Sequence, residues 1–309
     1  MTAREIRSAV ITGPTGAIGA ALCRSLLEHD VTVYAVVRPE SSRVSALPQA
    51  PGLRIIPCDL SAMQTLPEKL PEKHADAFFH LGWMQTTGAG RNCMPAQIDN
   101  IRCASDAAAA AHKLGCRVFI GAGSQAEYGR VSGALKPDTP CFPENGYGMA
   151  KLCAGAMTRI QCEEYGIAHI WMRVLSVYGP YDGKNAMIPV VIRKLLSGET
   201  PKMTGCEQIW DYLYSKDAAE AFRLAALSGR NSAVYPLGSG CARPLREYVE
   251  MLRDCVNPGA KIEFGAVPYA EKQVMHLEAD LSAIRNDTGF VPACGFAEGI
   301  AETVSFFRG

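Results

Sequence analysis

The chain has 309 residues, of which 48% are hydrophobic and 20% charged, and its formal net charge at pH 7 is zero. This length is enough for one large α/β domain or for two smaller units that share a core. Acidic and basic residues are interleaved, so the sequence predicts no basic patch for binding nucleic acid or a membrane surface.

The first residues and the cysteines bear on the cellular compartment. A strand-like run begins within a few residues of Met1, which leaves no room for a secretory signal, and no apolar stretch reaches the roughly 20 residues that span a bilayer. We therefore expect a cytoplasmic protein that does not bind membranes. The 12 cysteines are dispersed, without a Cys-x-x-Cys pair or a Cys/His cluster. This pattern predicts reduced, mostly buried thiols and no metal site.

Apolar, β-branched runs alternate with segments of helical period along the first part of the chain. The predicted strands are 9–12, 31–37, 53–57, 77–81, 117–121 and 168–174, with a later candidate at 233–237. The predicted helices are 17–28, 96–114 and 147–165. This alternation is typical of repeated β-α-β units. We expect a doubly wound α/β fold of Rossmann type with six or seven parallel strands.

After residues 178–180, which read Tyr-Gly-Pro, the regular alternation gives way to loops, short helices and isolated strand candidates. We therefore expect residues 1–180 to form a dinucleotide-binding domain, to which residues 215–240 return. Residues 181–309 are expected to form a smaller, partly interleaved substrate-binding lobe.

A glycine-rich turn joins the first predicted strand to the first predicted helix. It reads Gly13-Pro14-Thr15-Gly16-Ala17-Ile18-Gly19. At this place a pyrophosphate would meet the free N–H groups of a helix N-terminus. The spacing is G-x-x-G-x-x-G rather than G-x-G-x-x-G, and an ordinary strand-to-helix turn is the alternative interpretation.

The second predicted strand ends at residues 37–39, Val-Arg-Pro, without the acidic residue that usually accepts from the ribose 2′-hydroxyl of NAD. Arg38 suits the 2′-phosphate of NADP, with Arg43 and Ser41 or Ser42 to assist. We therefore expect NADP to be preferred over NAD. The alternative is a solvated surface arginine.

The third predicted strand is followed by Cys58-Asp59-Leu60. An acid at this place can hydrogen-bond the adenine amino group, so Asp59 and Leu60 are assigned to the cofactor site. A simple helix cap is the alternative role for Asp59.

Tyr147 and Lys151 lie one helical turn apart in Tyr147-Gly148-Met149-Ala150-Lys151. Two opposite charges about 4 Å apart interact by about 4 kcal/mol at an effective dielectric constant of 20, which is equivalent to roughly three pKa units. A nearby ammonium is therefore expected to lower the pKa of Tyr147 far enough for general acid–base catalysis.

Ser124 comes soon after the predicted strand 117–121, in Gly121-Ala122-Gly123-Ser124-Gln125. The carboxyl ends of strands in an open α/β sheet line the ligand crevice, where this hydroxyl would hydrogen-bond a reacting carbonyl. A loop serine without function is the alternative.

The order of these motifs resembles the extended short-chain dehydrogenase/reductase superfamily, and more narrowly the NAD-dependent epimerase/dehydratase family of nucleotide-sugar enzymes. The resemblance includes the glycine turn, S-x-x-x-Y-G from Ser124 and Y-x-x-x-K from Tyr147. It also includes the stretch from Arg173 to Pro180, which with Met172 before it reads M-R-V-L-S-V-Y-G-P. Residues 279–285 and 289–292 resemble the closing segment of the family. The match therefore runs from the first strand to the C-terminus.

The resemblance implies roles for individual residues. It implies that Tyr147 is the acid/base, that Lys151 binds the nicotinamide ribose and tunes Tyr147, and that Ser124, supported by Asn100, orients the substrate. His80-Leu81-Gly82 occupies the place where the family lines the cofactor cleft, which assigns Leu81 to the cofactor site. An ordinary buried histidine remains the alternative for His80.

The two residues after Ser124 bear on the reaction type. The dehydratases of the family have an acidic pair there, whereas this chain has Gln125-Ala126, which disfavours dehydration. We expect reduction of a nucleotide-activated 4-keto-6-deoxy sugar, or epimerisation through a keto intermediate.

The C-terminal part contributes the predicted substrate contacts. Asn185 lies in a segment that resembles the family's substrate loop, and residues 210–217 resemble its R-D-[FY]-x-x-x-x-D stretch. Trp210 stands where the family usually has an arginine for the diphosphate. Either Arg243 or Lys184 supplies that charge, or the substrate lacks a diphosphate. The predicted substrate-binding residues are Ser124, Gln125, Asn185, Trp210 and Arg243.

Two other functions are compatible with the sequence. One is an NADP-dependent reductase of a non-nucleotide carbonyl compound, such as a flavonoid or aldehyde. The other is a non-catalytic dinucleotide-binding sensor, although such proteins typically lose the Tyr/Lys pair. By analogy with the superfamily, helices near residues 105–114 and 152–165 are expected to pair in a homodimer.

Overall fold

The computed structural model describes residues 3–309 and is built around one central sheet. The strands, in chain order, are β1 (Ser8–Thr12), β2 (Thr32–Val37), β3 (Leu53–Pro57), β4 (Ala77–His80), β5 (Val118–Ser124), β6 (Ala168–Val174), β7 (Ser176–Tyr178), β8 (Ile209–Trp210), β9 (Tyr212–Tyr214), β10 (Ala233–Leu237) and β11 (Arg243–Pro244). The central sheet has seven parallel strands in the spatial order β10-β6-β5-β4-β1-β2-β3. The Rossmann-type fold is thereby confirmed.

Helices cover both faces of this sheet. They are α1 (Ala17–Glu28), α2 (Leu66–Lys69), α3 (Met94–Lys113), α4 (Gly146–Glu164), α5 (Met187–Leu196), α6 (Ser215–Ser228), α7 (Leu245–Val256), α8 (Ser282–Thr288) and α9 (Phe296–Arg308). Helices α1 and α6 pack together on one face, and α3 and α4 on the other. Burial on both faces explains why the strands are almost continuously apolar.

The strand order reverses between β1 and β4. From β1 the chain proceeds to β2 and β3 on one side, whereas β4, β5, β6 and β10 lie on the other. A crevice opens at such a reversal because the connections that leave the two strands diverge to opposite faces of the sheet. The glycine turn, after β1, and the loop after β4 both border this crevice.

Strand β5 is longer than predicted, because its pairing with β6 continues to Ser124. The glycines of β5 are needed for packing against Trp171. A Cβ on Gly121 would lie 2.0 Å from Cζ3 of Trp171, and a Cβ on Gly123 would lie 2.3 Å from its Nε1. The indole therefore occupies the space that side chains on β5 would fill, and Ser124 is the last residue of a strand rather than a loop residue.

The C-terminal part of the chain forms further hydrophobic clusters. Residues of α5, α7 and α9 pack around Tyr178 and Tyr214. Strands β7 and β9 pair with each other, as do β8 and β11. Strand β10 joins the central sheet beside β6, and α6 packs on α1, so this stretch of the chain returns to the central layers.

The cysteines differ in part from expectation. Cys93, Cys153 and Cys241 are exposed, whereas mostly buried thiols were predicted, because these three lie at helix ends, on an outer helix face and in a loop. No helix within residues 3–309 has the length and apolar character needed to cross a bilayer.

Candidate active site

A groove of about 500 Å³ runs along the carboxyl ends of β1, β2, β3 and β4. Of the residues assigned to the cofactor from sequence, those that line it are Gly13, Thr15, Arg38, Asp59 and Leu60. Ala17, Ile18 and Gly19 begin α1 behind the turn and do not line the groove. The other predicted cofactor residues that do not line it are Gly16, Leu81, Tyr147 and Lys151. The glycine turn and the ends of β2 and β3 therefore line one elongated site.

The glycine turn is shaped for close backbone contacts. Gly13 has φ +67°, and a Cβ there would lie 2.8 Å from the amide nitrogen of Gly82. A Cβ on Gly19 would lie 2.2 Å from the carbonyl oxygen of Gly13. Both contacts exclude a side chain and leave backbone N–H groups at the start of α1 for a pyrophosphate. The residues of this groove fit a dinucleotide.

His80 is a buried neutral residue that supports the turn. Its Nδ1 lies 3.1 Å from the hydroxyl of Thr12, which accepts a hydrogen bond of 3.0 Å from the amide of Gly82. Burial lowers the pKa of His80 to about 3. His80 therefore helps to hold Gly82 against the glycine turn.

Asp59 and the two arginines occupy the far end of the groove. The carboxylate of Asp59 accepts from the backbone N–H of Ser61 at 2.9 Å, which makes it the cap of the short helix Leu60–Thr65, and these bonds hold its pKa below the usual range. Arg38 is exposed at the tip of β2. Arg43 donates to the carbonyl oxygen of Tyr181 and so links the groove to the segment after β7.

Ser124, Tyr147 and Lys151 meet beside the groove. Ser124 ends β5, while Asn145 caps the N-terminus of α4 and places Tyr147 in its first turn. The hydroxyl of Ser124 accepts from the N–H of Ala126 at 3.2 Å, and it lies near enough to Tyr147 to lower the pKa of the phenol against the effect of burial. The Nζ atom of Lys151 lies 5.9 Å from the ring centroid of Tyr147. The structure thus brings together the three residues that the sequence selected.

The electrostatics of this cluster differ from the expectation. Lys151 is buried, donates to the carbonyl oxygen of Ala122 at 2.6 Å, and lies 3.7 Å from the ring centroid of Trp83. Burial lowers the pKa of Lys151 to about 7 and raises the pKa of Tyr147. Lys151 therefore does not act in this structure as the full positive charge that was predicted to lower the pKa of Tyr147.

Arg91 is a cation at the site that sequence reasoning missed. Its Cζ atom lies 4.7 Å from the ring centroid of Tyr147, and its charge lowers the pKa of Tyr147 against the effect of burial. Trp83 was also missed, and it meets Tyr147 edge to face at 6.3 Å. Both lie in the irregular segment after β4, where no periodic pattern indicates which side chains point inward.

Helix α3 determines the path of that segment. The side chain of Asn100 accepts from the N–H of Met84 at 2.8 Å and donates to its carbonyl oxygen at 2.9 Å. Gln97 accepts from the indole of Trp83 at 3.0 Å. Asn100 is therefore a support of the segment and not a wall of the groove.

Glu127 supports Ser124 from below. Its carboxylate is fully buried and accepts from the N–H of Ser124 at 2.7 Å, from Trp171 at 3.0 Å and from Arg173 at 2.7 Å. Both oxygens of the carboxylate are therefore hydrogen-bonded within the protein. Glu127, the first acidic residue after Ser124 in the sequence, therefore has a structural role.

The predicted substrate residues of the C-terminal part separate into two groups. Trp210 lines a cavity of about 280 Å³, donates to the hydroxyl of Ser176 at 2.9 Å, and is paired directly with Arg243 across β8 and β11. Asn185 is exposed and lines neither this cavity nor the groove. Arg243 is therefore the strand partner of Trp210. Asn185 lies outside both the cavity and the groove.

Comparisons with known proteins agree with this fold. The model of the NAD dependent epimerase/dehydratase family matches residues 9–238. The dTDP-glucose 4,6-dehydratase of Xanthomonas campestris pv. campestris is 27% identical over 200 residues, which are 61% of this chain and 57% of the relative. The chain thus spans less than two thirds of the length of that relative.

Solved structures match over almost the whole chain. The UDP-N-acetylglucosamine 4-epimerase of Methanobrevibacter ruminantium, in complex with UDP-N-acetylmuramic acid, has a TM-score of 0.88 and 25% identity over 99% of both chains. The UDP-glucose 4-epimerase of Thermus thermophilus, in complex with NAD, has a TM-score of 0.87 and 21% identity over 98% of this chain and 99% of the other.

Proposed function

The chain belongs to the NAD dependent epimerase/dehydratase family, and from this premise we propose that it transfers hydride between a nicotinamide cofactor and the carbonyl group of a nucleotide-activated sugar. The observation that carries the proposal is the meeting of Ser124, Tyr147 and Lys151 at the carboxyl end of β5, beside a groove that fits a dinucleotide. A sensor without catalysis would have no use for this arrangement.

Each of the three residues has a role at the reacting oxygen. A bound nicotinamide supplies or accepts the hydride. The hydroxyl of Tyr147 donates its proton to the sugar oxygen during reduction and takes it back during oxidation. Ser124 holds the same oxygen by a hydrogen bond. Lys151 lies one helical turn after Tyr147 on α4. When Lys151 is protonated, its positive charge stabilises the deprotonated form of Tyr147.

We propose reduction, or epimerisation through a keto intermediate, rather than dehydration. Elimination of water needs an acid and a base near the sugar, whereas Gln125 and Ala126 come directly after Ser124. Glu127 is buried and fully bonded to Ser124 and Arg173. The 4-keto-6-deoxy sugars predicted from sequence are the first substrates to test.

The cofactor preference rests on a few side chains. Arg38, Ser41 and Arg43 line the groove near the place where a ribose 2′-substituent would lie. Their charge and hydrogen-bonding groups favour the 2′-phosphate of NADP. The family description and the Thermus structure name NAD, so the preference for NADP depends on these residues alone.

A second candidate function arises from Trp210. An indole in place of a diphosphate-binding arginine favours a reductase of a non-nucleotide carbonyl compound. Arg243 is the register partner of Trp210 on the neighbouring strand, with its guanidinium over the ring of Tyr248. We propose that it supplies the positive charge for a diphosphate, which favours the nucleotide sugar. We therefore keep the nucleotide sugar as the leading proposal, with 181–309 as its substrate lobe.

The test is hydride transfer by the purified protein. NADPH or NADH is mixed with nucleotide-activated 4-keto-6-deoxy sugars and with simple carbonyl compounds, and loss of reduced nicotinamide is monitored optically. We expect Tyr147→Phe to lower kcat by roughly 100-fold or more without weakening cofactor binding. Tyr165→Phe, at the other end of α4, is the matched control and should behave like the wild type.

Two outcomes contradict the proposal. One is the absence of hydride transfer to every sugar and carbonyl compound. The other is a Tyr147→Phe variant that turns over as fast as the wild type. Turnover of simple carbonyl compounds alone would select the second candidate function.

A further inference from the structure

A separate cavity of about 340 Å³ adjoins the Ser124 and Tyr147 cluster. Its polar lining comes from Arg91, Asn92, Gln125, Glu144, Asn145 and Lys272. We call it the Arg91 cavity. Because Gln125 is the residue directly after Ser124 and Arg91 lies against the Tyr147 ring, a group bound here would be attached close to the reacting carbon.

Arg91 lacks a charged partner inside the protein. Its Nε atom is buried, and its guanidinium forms no hydrogen bond or ion pair with any atom of residues 3–309. Its one aromatic contact is the face of Tyr147. A guanidinium stays protonated at all physiological pH values, so the free-energy cost of its unpaired charge cannot be removed by deprotonation. A partly buried cation without an anion is costly, which indicates that the anion comes from outside.

The acid in the lining does not serve Arg91. The carboxylate of Glu144 is held by Arg130 through two hydrogen bonds of 2.8 Å, one to each oxygen. Lys272 is near enough to lower the pKa of Glu144 further, yet it forms no ion pair within 4.0 Å in the described part of the chain. Two cations, Arg91 and Lys272, are therefore left without a bound carboxylate.

Two of the three side-chain amides in the lining, Asn92 and Asn145, use their oxygen atoms to accept hydrogen bonds from the backbone. The side-chain oxygen of Asn92 accepts from the N–H of Gly146, and that of Asn145 accepts from the N–H of Gly148, each at 2.9 Å. Neither NH₂ group donates to another atom of residues 3–309. The N-terminus of the 19-residue helix α4 adds its positive end to the same wall. The polar lining is therefore rich in donors and positive charge.

We propose that the Arg91 cavity binds a carboxylate carried by the sugar of the substrate, with Arg91 as the principal contact. A planar guanidinium binds a carboxylate through two parallel hydrogen bonds, which matches its free donors. This inference rests on the proposed function and narrows its substrate class to acidic sugars. The neutral 6-deoxy group predicted from sequence would leave Arg91 without a partner, so the two substrate classes make opposite predictions.

The experiment compares matched ligands that differ in one carboxylate. The full-length protein, saturated with NAD or NADP, is titrated calorimetrically with UDP-glucuronic acid and UDP-glucose, and with UDP-N-acetylmuramic acid and UDP-N-acetylglucosamine. We expect the acidic member of at least one pair to bind roughly 10- to 100-fold more tightly, because its carboxylate would form charge-assisted hydrogen bonds with Arg91. Arg91→Met should abolish this ratio, and Arg91→Lys should retain part of it.

Three controls keep the result interpretable. Arg102→Met makes the same change on the exposed side of α3, where Arg102 pairs with Asp99, and should leave the ratio unchanged. Retained cofactor binding by Arg91→Met shows that the variant is folded. Binding of UDP alone should not change in Arg91→Met, because a loss there would mean that Arg91 binds the diphosphate and not a sugar carboxylate.

The outcomes separate the two proposals. If the neutral sugars bind as tightly as the acidic ones, or if Arg91→Met keeps the ratio, the carboxylate site is refuted while the proposed function stands. If no nucleotide sugar binds and none exchanges hydride, the proposed function fails and the carboxylate site fails with it.

Discussion

Lys151 illustrates how burial changes the chemistry of a residue that a motif identifies. The motif Tyr147-x-x-x-Lys151 places a phenol and an amine one turn apart, and the structure keeps that spacing. The surrounding protein removes Lys151 from water, and its Nζ atom contacts the carbonyl oxygen of Ala122 and the ring of Trp83. A neutral acceptor compensates only part of the lost hydration of an ammonium, so the pKa of Lys151 falls. Arg91 therefore supplies the permanent positive charge beside Tyr147.

This effect predicts a pH dependence of stability. The pKa of Lys151 is about 7 in the folded protein, compared with 10.5 as its ordinary value. Between these values the unfolded chain binds the proton and the folded protein does not, so the free energy of unfolding rises with pH by up to about 1.4 kcal/mol per pH unit. Below pH 7 both states are protonated, and the full cost of burying the charge remains.

Lys151→Met isolates this contribution because it cannot titrate. We expect the free energy of unfolding of the wild type minus that of Lys151→Met, measured by urea denaturation without cofactor, to increase from pH 7 to pH 9. A difference that stays constant over this range would show that Lys151 remains protonated in the folded protein.

At the scale of elements, the junction of β5 and β6 holds the site together. Trp171 on β6 fills the space opened by the glycines of β5, and Glu127 connects the end of β5 to Trp171 and Arg173. This junction fixes the direction of Ser124, because the N–H of Ser124 is bonded to Glu127. A buried ion pair of this kind is costly to break, since one charge is then left without a partner.

We predict that Glu127→Ala destabilises the protein by about 3–5 kcal/mol, because the guanidinium of Arg173 would remain buried and unpaired. The midpoint of urea unfolding measures this loss. The double variant Glu127→Leu/Arg173→Met removes both charges and should be markedly more stable than Glu127→Ala. Equal stability of the single and the double variant would contradict this reason, because it would mean that burying an unpaired Arg173 has no cost.

At the scale of the whole molecule, the outer faces of α3 and α4 carry exposed apolar side chains that could pack against a second copy of the chain. Met149, Met157 and Ile160 on α4 are about half exposed, and their spacing places them on one helical face. Ile98 on the adjacent helix α3 is 65% exposed. We propose that these side chains form the interface of a homodimer, in which α3 and α4 of one subunit pack against the same helices of the other.

The prediction is that the double variant Met157→Glu/Ile160→Glu is monomeric at concentrations where the wild type is a dimer, as measured by size-exclusion chromatography with light scattering. Buried carboxylates without partners would oppose association. Val291→Glu changes an equally exposed apolar side chain in a loop and should remain dimeric. A monomeric wild type, or a dimeric double variant, would exclude this interface.

The regular elements of the dinucleotide-binding part were largely predictable from the sequence. Strands β3, β6 and β10 and helix α1 have the predicted bounds, and the other elements that were predicted with bounds differ by one to three residues. Helices α2 and α6 were not predicted. Apolar periodicity is a local property, and it is strong where both faces of a strand are buried. Strand β5 was the main exception, because glycines have low strand propensity and its second half contains Gly121 and Gly123. These glycines make room for the indole of Trp171, which comes 50 residues after Gly121 and is not visible to a local pattern.

What the sequence determined by itself was the fold, the glycine turn and the selection of Ser124, Tyr147 and Lys151, since each depends on spacing within a few residues. The tertiary structure alone decided the charge of Lys151, the commitment of Glu127 to Arg173, and the position of Arg91. These depend on which distant side chains approach one another and on how much water remains, and neither quantity is encoded in local spacing.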